Sequence, residues 1–183
     1  MSLRWRFVDK ILSFQPWIFI VALKLGTLEE YYLLERWGEK TKGPVILILE
    51  SALQAALWLV EASSDFTLSF WPSQISRFEA PLGLAPGEGL VWLIETSEKS
   101  ERSIGFRAKV LRLKGEESLN KIFSHLKNSF SIDLFTTKDW PDSQEEFTFC
   151  GDFVPLSPLV QPQKRCALWL ELGGKVDRSA KTS

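Results

Sequence analysis

The longest apolar stretch of the chain covers residues 44–60 and contains two polar side chains that interrupt it, Glu50 and Gln54. It begins with Pro44, which suits the first position of a helix because the N–H that proline lacks is not needed there. The residues after it are apolar on nearly every face, so the pattern predicts a long helix that must be surrounded by other apolar elements. A short, twice-interrupted stretch of this kind is typical of a buried helix and not of a membrane span.

Runs of β-branched and aromatic residues on both sides of this helix predict strands. Residues 17–25 form such a run before the helix and end at Gly26. Upstream of them, residues 4–14 predict a short helix or strand that ends in a turn at Pro16. The runs that follow the helix are residues 66–71, 75–78, 90–96, 103–110 and 130–136.

The pattern from residue 110 onward predicts the remaining elements and the extent of the domain. The strand alternation slips at Val110 and Leu111, which predicts a bulge or a bend. Residues 117–128 carry apolar side chains at helical spacing and predict a short amphipathic helix. Beyond Trp140 the pattern weakens and the last dozen residues are polar. The sequence therefore predicts an α+β domain over residues 1–140, followed by a partly disordered C-terminal extension over residues 141–183.

Composition and charge narrow the classes of function. The formal net charge is -1, so nothing indicates binding to nucleic acids or to an anionic membrane surface. Cys150 and Cys166 lie too far apart for a metal-binding spacing or a disulfide framework, so we expect free thiols in a reducing compartment. The first ten residues contain no apolar core of a signal peptide, and the expected location is the cytoplasm. No zinc spacing, nucleotide-binding glycine loop or Ser-His-Asp arrangement occurs, so no cofactor and no metal are expected.

Three stretches of the chain resemble one known family. They are residues 7–12 (FVDKIL), residues 44–56 (PVILILESALQAA) and residues 75–88, which include Ile75-Ser76-Arg77-Phe78, Pro81 and Pro86-Gly87-Glu88. In these stretches the chain is similar to the 3-hydroxyacyl-acyl carrier protein dehydratases of fatty acid synthesis. The resemblance implies a hotdog fold, in which an antiparallel sheet wraps around one long central helix. It also implies an acyl thioester or acyl carrier protein as partner, and a dimer with an identical or a related hotdog subunit.

The resemblance also implies where a site would lie. The family's catalytic pair is a histidine in a Gly-His-Phe-Pro-Gly loop and a carboxylate fourteen positions later on the helix. Here the carboxylate position corresponds to Glu50, and the histidine position is occupied by Arg36. Val45 stands where the family has a glycine whose N–H receives the thioester oxygen, and a helix N-terminus can still offer that donor. Besides the two catalytic positions, the residues that the resemblance places against substrate are Trp37, Pro44, Val45 and Gln54.

Arginine at position 36 changes the expected chemistry. Removing water from a 3-hydroxyacyl thioester needs a base for the α-proton and an acid for the leaving hydroxyl. Histidine, with a pKa of about 6.5, can accept that proton, whereas arginine, with a pKa above about 12, cannot. Losing a general base costs about 10²- to 10⁴-fold in rate. We therefore expect little or no dehydratase (lyase) activity from this chain alone.

Three functions remain open at this point. The chain binds an acyl chain or a carrier protein without turning it over, or it donates Glu50 to a site that a histidine-bearing relative completes. In the third alternative, Glu50 is the base of a different reaction on a thioester. For Glu50 itself, the competing interpretation is an ion pair with Arg36 that closes a former active site.

Other polar side chains are weaker candidates. His125 is the single histidine, and its position on the polar side of the predicted helix favours a solvated surface residue over a replacement base. A basic strand segment offers a docking face for an acidic carrier protein, although an ordinary solvated strand is the simpler interpretation. That segment contains Arg107, Lys109, Arg112 and Lys114.

The aromatic content leaves two interpretations open. The 8 tryptophans and 13 phenylalanines indicate either a lined cavity or subunit interface, or simply an aromatic-rich core. Trp58, Trp71 and Trp92 lie on predicted core elements. They either narrow an acyl tunnel or pack as ordinary core residues.

Overall fold

The computed structural model describes residues 7–27, 45–76, 84–114, 145–155 and 162–175. In chain order, the elements in these residues are β1 (Lys10–Gln15), β2 (Phe19–Leu25), α1 (Val45–Ser63), β3 (Leu68–Ser76), β4 (Glu88–Lys99), β5 (Ser103–Lys114), β6 (Glu145–Pro155) and α2 (Pro162–Glu171). The strands form one sheet in the order β1-β2-β4-β5-β6-β3. Every neighbouring pair in it is antiparallel. The predicted α+β class is therefore confirmed.

Helix α1 packs one face against the sheet. The buried face combines small and large side chains at helical spacing: Ile48, Ala52, Ala55, Ala56 and Leu59. The alanines of this face let the helix lie close to strands β2, β3 and β4. The opposite side is partly open, because Ile46 is 59% exposed and Leu53 and Leu57 are half-buried. Near its C-terminal end the helix is also covered by α2, since Trp58 and Glu61 are only 4% and 2% exposed. The expectation that every face of this helix is covered therefore fails along Ile46, Leu53 and Leu57.

The length and composition of α1 also meet the criteria for crossing a membrane. The segment that does so is Ile46–Ser63, and half of it is buried inside the fold. A core helix passes the same test, since it too is long and mostly apolar. Its packing against an antiparallel sheet is that of a core helix in a sheet-and-helix domain.

Both faces of the sheet are buried along its central strands. The face away from α1 carries a second apolar cluster of Phe19, Val21, Leu23, Val91, Leu93, Leu111 and Leu113. Val110 and Leu111 point to opposite faces and are only 1% and 2% exposed. Their pairing with β4 is regular, with Val110 opposite Trp92 and Leu111 opposite Val91. The predicted bulge at this point is therefore wrong, because the two successive apolar residues reflect burial of both faces.

Strand β3 joins two runs that the sequence predicts as separate strands. It continues through Pro72, and its register with β6 shifts just after that residue. β3 lies at an edge of the sheet, where a missing N–H and a bulge are tolerated. Trp71 is 69% exposed on this strand, so its predicted place in the core is wrong. The neighbouring Phe70, 5% exposed, takes the core position because successive side chains of a strand point to opposite faces.

Residues beyond position 140 contribute to both the sheet and the core. Strand β6 lies between β5 and β3. Helix α2 buries Trp169, whose ring centroid lies 5.0 Å from that of Phe14 and 5.9 Å from that of Trp58. After the helix, the Leu172 carbonyl accepts the N–H of Ile11 over 2.6 Å. The sheet thus extends past the boundary drawn at residue 140, since a strand and a short helix with one buried side chain give only a weak periodic signal.

The runs over residues 17–25, 90–96 and 103–110 are confirmed as β2, β4 and β5, and the last two strands are longer than their runs. Residues 10–15 form a strand, which is one of the two alternatives that the sequence leaves open for residues 4–14. The predicted helix over residues 117–128 and the predicted strand over residues 130–136 lie outside the described residues.

Candidate functional site

Glu50 projects from the side of α1 that faces away from the sheet. One helical turn away on this side are Ile46 and Leu53, with Leu57 a further turn along. We call these three residues the open stripe of α1. Glu50 is half-buried beside it, and Ile46 is largely exposed. A carboxylate next to a partly open apolar stripe can meet an apolar ligand or a second protein surface while it remains in contact with water.

Gln54 forms a hydrogen bond to the Glu50 carboxylate. Its Nε2 donates to Glu50 Oε1 over 3.3 Å, and its Oε1 accepts the N–H of Phe7 over 3.3 Å. The two contacts agree on the orientation of the amide, because a flipped amide would place donor against donor and acceptor against acceptor. Among the described residues, the bond from Gln54 Nε2 is the single hydrogen bond to the Glu50 carboxylate.

The first stretch of the family resemblance, residues 7–12, contacts both α1 and β2, through Phe7 on the helix side and through residues 9–11 on the strand side. Asp9 accepts the N–H of Leu25 over 2.7 Å and pairs with Lys24 Nζ at 3.2 Å. Its own N–H donates to the Leu23 carbonyl over 2.8 Å. The segment that contacts Gln54 is therefore held against the sheet on its other side.

Several site residues implied by the resemblance lie outside the described residues. These are Arg36, Trp37 and Pro44, so the proximity of Arg36 to Glu50 stays a prediction. Val45 is the first residue of α1. A backbone N–H at that place has no acceptor within the helix and lies at the positive end of the helix dipole, so it suits a carbonyl oxygen or an anion.

The basic strand segment does not form one continuous docking face. Arg107 and Lys109 alternate with Ala108 on β5 and point away from α1, whereas Arg112 lies on the α1 side. Arg112 Nη1 donates to Glu88 over 2.6 Å, and Lys109 Nζ lies 3.7 Å from a Glu95 oxygen. Two of these cations are therefore already paired with carboxylates of the neighbouring strand. His125 lies outside the described residues.

The tryptophans of the core pack against other side chains. Trp92 is fully buried on β4, and its Nε1 donates to Ser51 Oγ over 3.0 Å. Trp58 is 4% exposed and packs on Trp169, as described above, and beneath the Arg165 guanidinium. These contacts match the simpler of the two interpretations, in which both residues are core packing.

A buried ion pair joins the two helices, and no sequence pattern predicts it. Glu61 on α1 is 2% exposed, and its carboxylate accepts hydrogen bonds from Arg165 Nε over 2.7 Å and from Ser69 Oγ over 3.2 Å. Burial raises the pKa of the Glu61 carboxyl, and the adjacent Arg165 guanidinium opposes that rise. The available signal was a lone acidic residue directly after the apolar stretch, but its partner lies about a hundred residues away in the chain.

Comparison with known proteins gives structural similarity but no match to a family model or to a curated protein. A solved hot-dog-like protein from Thermanaerovibrio acidaminovorans is similar over 88% of this chain and 96% of its own length, with 10% sequence identity and a TM-score of 0.47. In the described residues, no group of three or more His, Cys, Asp or Glu side chains is placed to hold a metal ion.

Proposed function

We propose that the chain is a hotdog domain, similar to the 3-hydroxyacyl-acyl carrier protein dehydratases, that binds an acyl thioester or an acylated carrier protein without dehydrating it. The observation that carries this proposal is the position of Glu50. A half-buried carboxylate lies beside the open stripe of α1, in the second turn from the helix N-terminus. That combination suits a ligand with an apolar chain and a polar thioester head.

Two features of the fold support the hotdog assignment. One helix of 19 residues packs against a single antiparallel sheet. The resemblance stretches over residues 7–12 and 44–56 also adjoin each other, since Phe7 contacts Gln54. A hotdog domain of this family would work in the cytoplasm as a dimer, and both properties belong to the proposal.

The lack of turnover follows from the residue at position 36. A permanently charged guanidinium cannot take a proton from carbon. Glu50 alone supplies one of the two proton-transfer groups that elimination requires. Binding does not require both groups, so it can survive the change when turnover does not.

The half-site alternative has one observation in its favour. Glu50 and the open stripe lie on the helix side that the sheet does not cover, so a second subunit can reach them. A relative that carries the missing histidine would then complete the catalytic pair with Glu50. A changed thioester reaction with Glu50 as its base is the remaining alternative.

Binding and turnover of the full chain should be measured together. A 3-hydroxyacyl pantetheine thioester is titrated by calorimetry, and hydration of the matching enoyl thioester is followed in parallel. We expect the unmodified chain to bind and not to turn over, and Glu50→Gln to weaken binding about tenfold through loss of a charge-assisted contact. Glu98→Gln, at an exposed position of β4, is the matched control and should bind like the unmodified chain.

The possible outcomes separate the three functions. Absence of binding by the unmodified chain contradicts the proposal. Turnover by the chain alone, abolished by Glu50→Gln, replaces it with the changed-reaction alternative. Turnover that appears only when a histidine-bearing relative is added, and again needs Glu50, replaces it with the half-site alternative.

A further inference from the structure

A path of hydrogen bonds joins the interior of the sheet to Glu50. Trp92 on β4 donates to Ser51 Oγ over 3.0 Å, and Ser51 donates to the Phe7 carbonyl over 2.7 Å. The N–H of the same residue, Phe7, donates to Gln54 Oε1, and Gln54 Nε2 donates to Glu50, each over 3.3 Å. The path therefore passes from a side chain to a backbone and back to a side chain.

The two ends of this path differ in burial. Ser51 and Trp92 are both 0% exposed, whereas Gln54 and Glu50 are half-buried. The bonds at the buried end are also the shorter ones, and hydrogen bonds in a low-dielectric interior are the stronger ones. The hydrogen bonds near the sheet are thus the stronger part of the path, and the hydrogen bonds near Glu50 are the weaker part.

Two neighbouring residues of α1 bind the two polar backbone groups of Phe7. Ser51 and Gln54 are three positions apart on the helix, so they are neighbours on its surface. Ser51 holds the carbonyl of Phe7 and Gln54 takes its N–H. With that N–H fixed, the Gln54 amide has one orientation that satisfies it, and this orientation turns Nε2 toward Glu50.

We infer that Ser51 is a positioning residue for Glu50, acting through the backbone of Phe7 and the amide of Gln54. Without the Ser51 hydroxyl, Phe7 loses one of its two bonds to the helix, and the amide orientation that points at Glu50 loses part of its support. The inference rests on the proposed function only in taking Glu50 as the site residue.

A spectroscopic double-mutant cycle on the full chain tests this inference. The observable is the NMR resonance of the Gln54 side-chain amide, measured with and without Glu50→Ala. In the unmodified background we expect a clear shift, because the change removes the acceptor. In the Ser51→Ala background the same change should produce a smaller shift, and the Phe7 amide should exchange with solvent about fivefold faster. Ser76→Ala, at an exposed position of β3, is the control and should leave both observables unchanged.

Two results would overturn the inference. In the first, Ser51→Ala speeds exchange at Phe7 but leaves the full Gln54 response to Glu50→Ala, which makes Ser51 merely structural. In the second, neither observable changes.

Gln54→Met gives a reading that does not depend on how well the Ser51 variant folds. It should also speed exchange at Phe7 about fivefold, and unchanged exchange contradicts the path. None of these measurements uses a thioester. Failure of the path therefore leaves the proposed function standing, and a lack of thioester binding leaves the path standing.

Discussion

Arg165 donates from Nε to Glu61 over 2.7 Å, and this bond joins the C-terminal helix α2 to the last turns of α1. Ser69 donates to the other carboxylate oxygen, and the Arg165 guanidinium lies 4.0 Å from the centroid of the Trp58 ring. Glu61 is therefore buried with two hydrogen-bond partners, whereas the Arg165 side chain is 14% exposed. Removing Arg165 leaves the Glu61 carboxyl buried without its cation, so Glu61 depends on Arg165.

Arg165→Met should lower the free energy of unfolding by about 3–5 kcal/mol, because it leaves the Glu61 carboxyl in an apolar site without its cation. Adding Glu61→Met should recover a large part of that loss, since two apolar side chains then replace the pair. Urea unfolding of both variants measures the difference. Arg102→Met, on an exposed turn, is the control and should change stability by less than about 0.5 kcal/mol. A cost for Arg165→Met no larger than that of the control would show that the pair is not stabilising.

Glu61 should also give stability a pH dependence of unusual sign. Burial raises the pKa of its carboxyl in the folded state, so the folded chain binds more protons than the unfolded chain in the range above the ordinary pKa. The contribution is fully present below the unfolded pKa of about 4.3 and is lost as the pH rises through the folded value.

The measurement that isolates this effect is the difference in unfolding free energy between the unmodified chain and Glu61→Gln, followed from about pH 4 to pH 7. The advantage of the unmodified chain should shrink as the pH rises. If it grows instead, the attraction of Arg165 outweighs the cost of burial. Glu98→Gln, which alters an exposed glutamate, should show no such trend relative to the unmodified chain.

Gly174 should not tolerate a side chain. A Cβ at this position would lie 2.1 Å from Cε2 of Trp169, and the buried ring cannot withdraw. Gly174→Ala should therefore cost about 1–3 kcal/mol through overpacking. At Gly89 in the sheet, a Cβ would meet Leu25 at an ordinary distance of 3.4 Å, so Gly89→Ala is the matched control. Equal melting temperatures for the two variants would contradict the close packing of Gly174 against the Trp169 ring.

Truncation to alanine should lower the stability of the fold at Trp58 but not at Trp71. Trp58→Ala should cost about 3–5 kcal/mol, since it removes a buried ring from between Trp169 and Arg165. Trp71→Ala should change stability by less than about 0.5 kcal/mol, because that ring is 69% exposed. Guanidinium unfolding of both variants provides the comparison, and a large cost at Trp71 would mean that a second chain covers it in solution.

The sequence predicts the class of the fold because periodicity reports local burial. The apolar stretch and the alternating runs mark α1, β2, β4 and β5 correctly. Periodicity cannot report which face of a strand is covered, and this is why Val110 and Leu111 suggested a bulge that does not exist. Nor can it tell Trp71 from Phe70 on an edge strand, where one face is open.

Contacts between distant parts of the chain are beyond such patterns. Glu61 and Arg165, or Phe7 and Gln54, are adjacent only after folding. Glu50 could be selected from the sequence because a carboxylate interrupts an apolar helix, and the open side of α1 accommodates it. Its predicted partner, Arg36, follows from the family resemblance. The expected loss of dehydratase activity follows from the inability of arginine to act as a base.

The most direct test of the central claim is the activity of Arg36→His on an enoyl pantetheine thioester, measured beside the unmodified chain. Supplying an imidazole at that position should raise hydration from background to a rate that Glu50→Gln abolishes, with a gain of about 10²-fold or more. Thioester affinity should stay within a few-fold of that of the unmodified chain. Equal hydration rates in both chains, whether absent or high, would contradict the claim that arginine at position 36 separates binding from turnover.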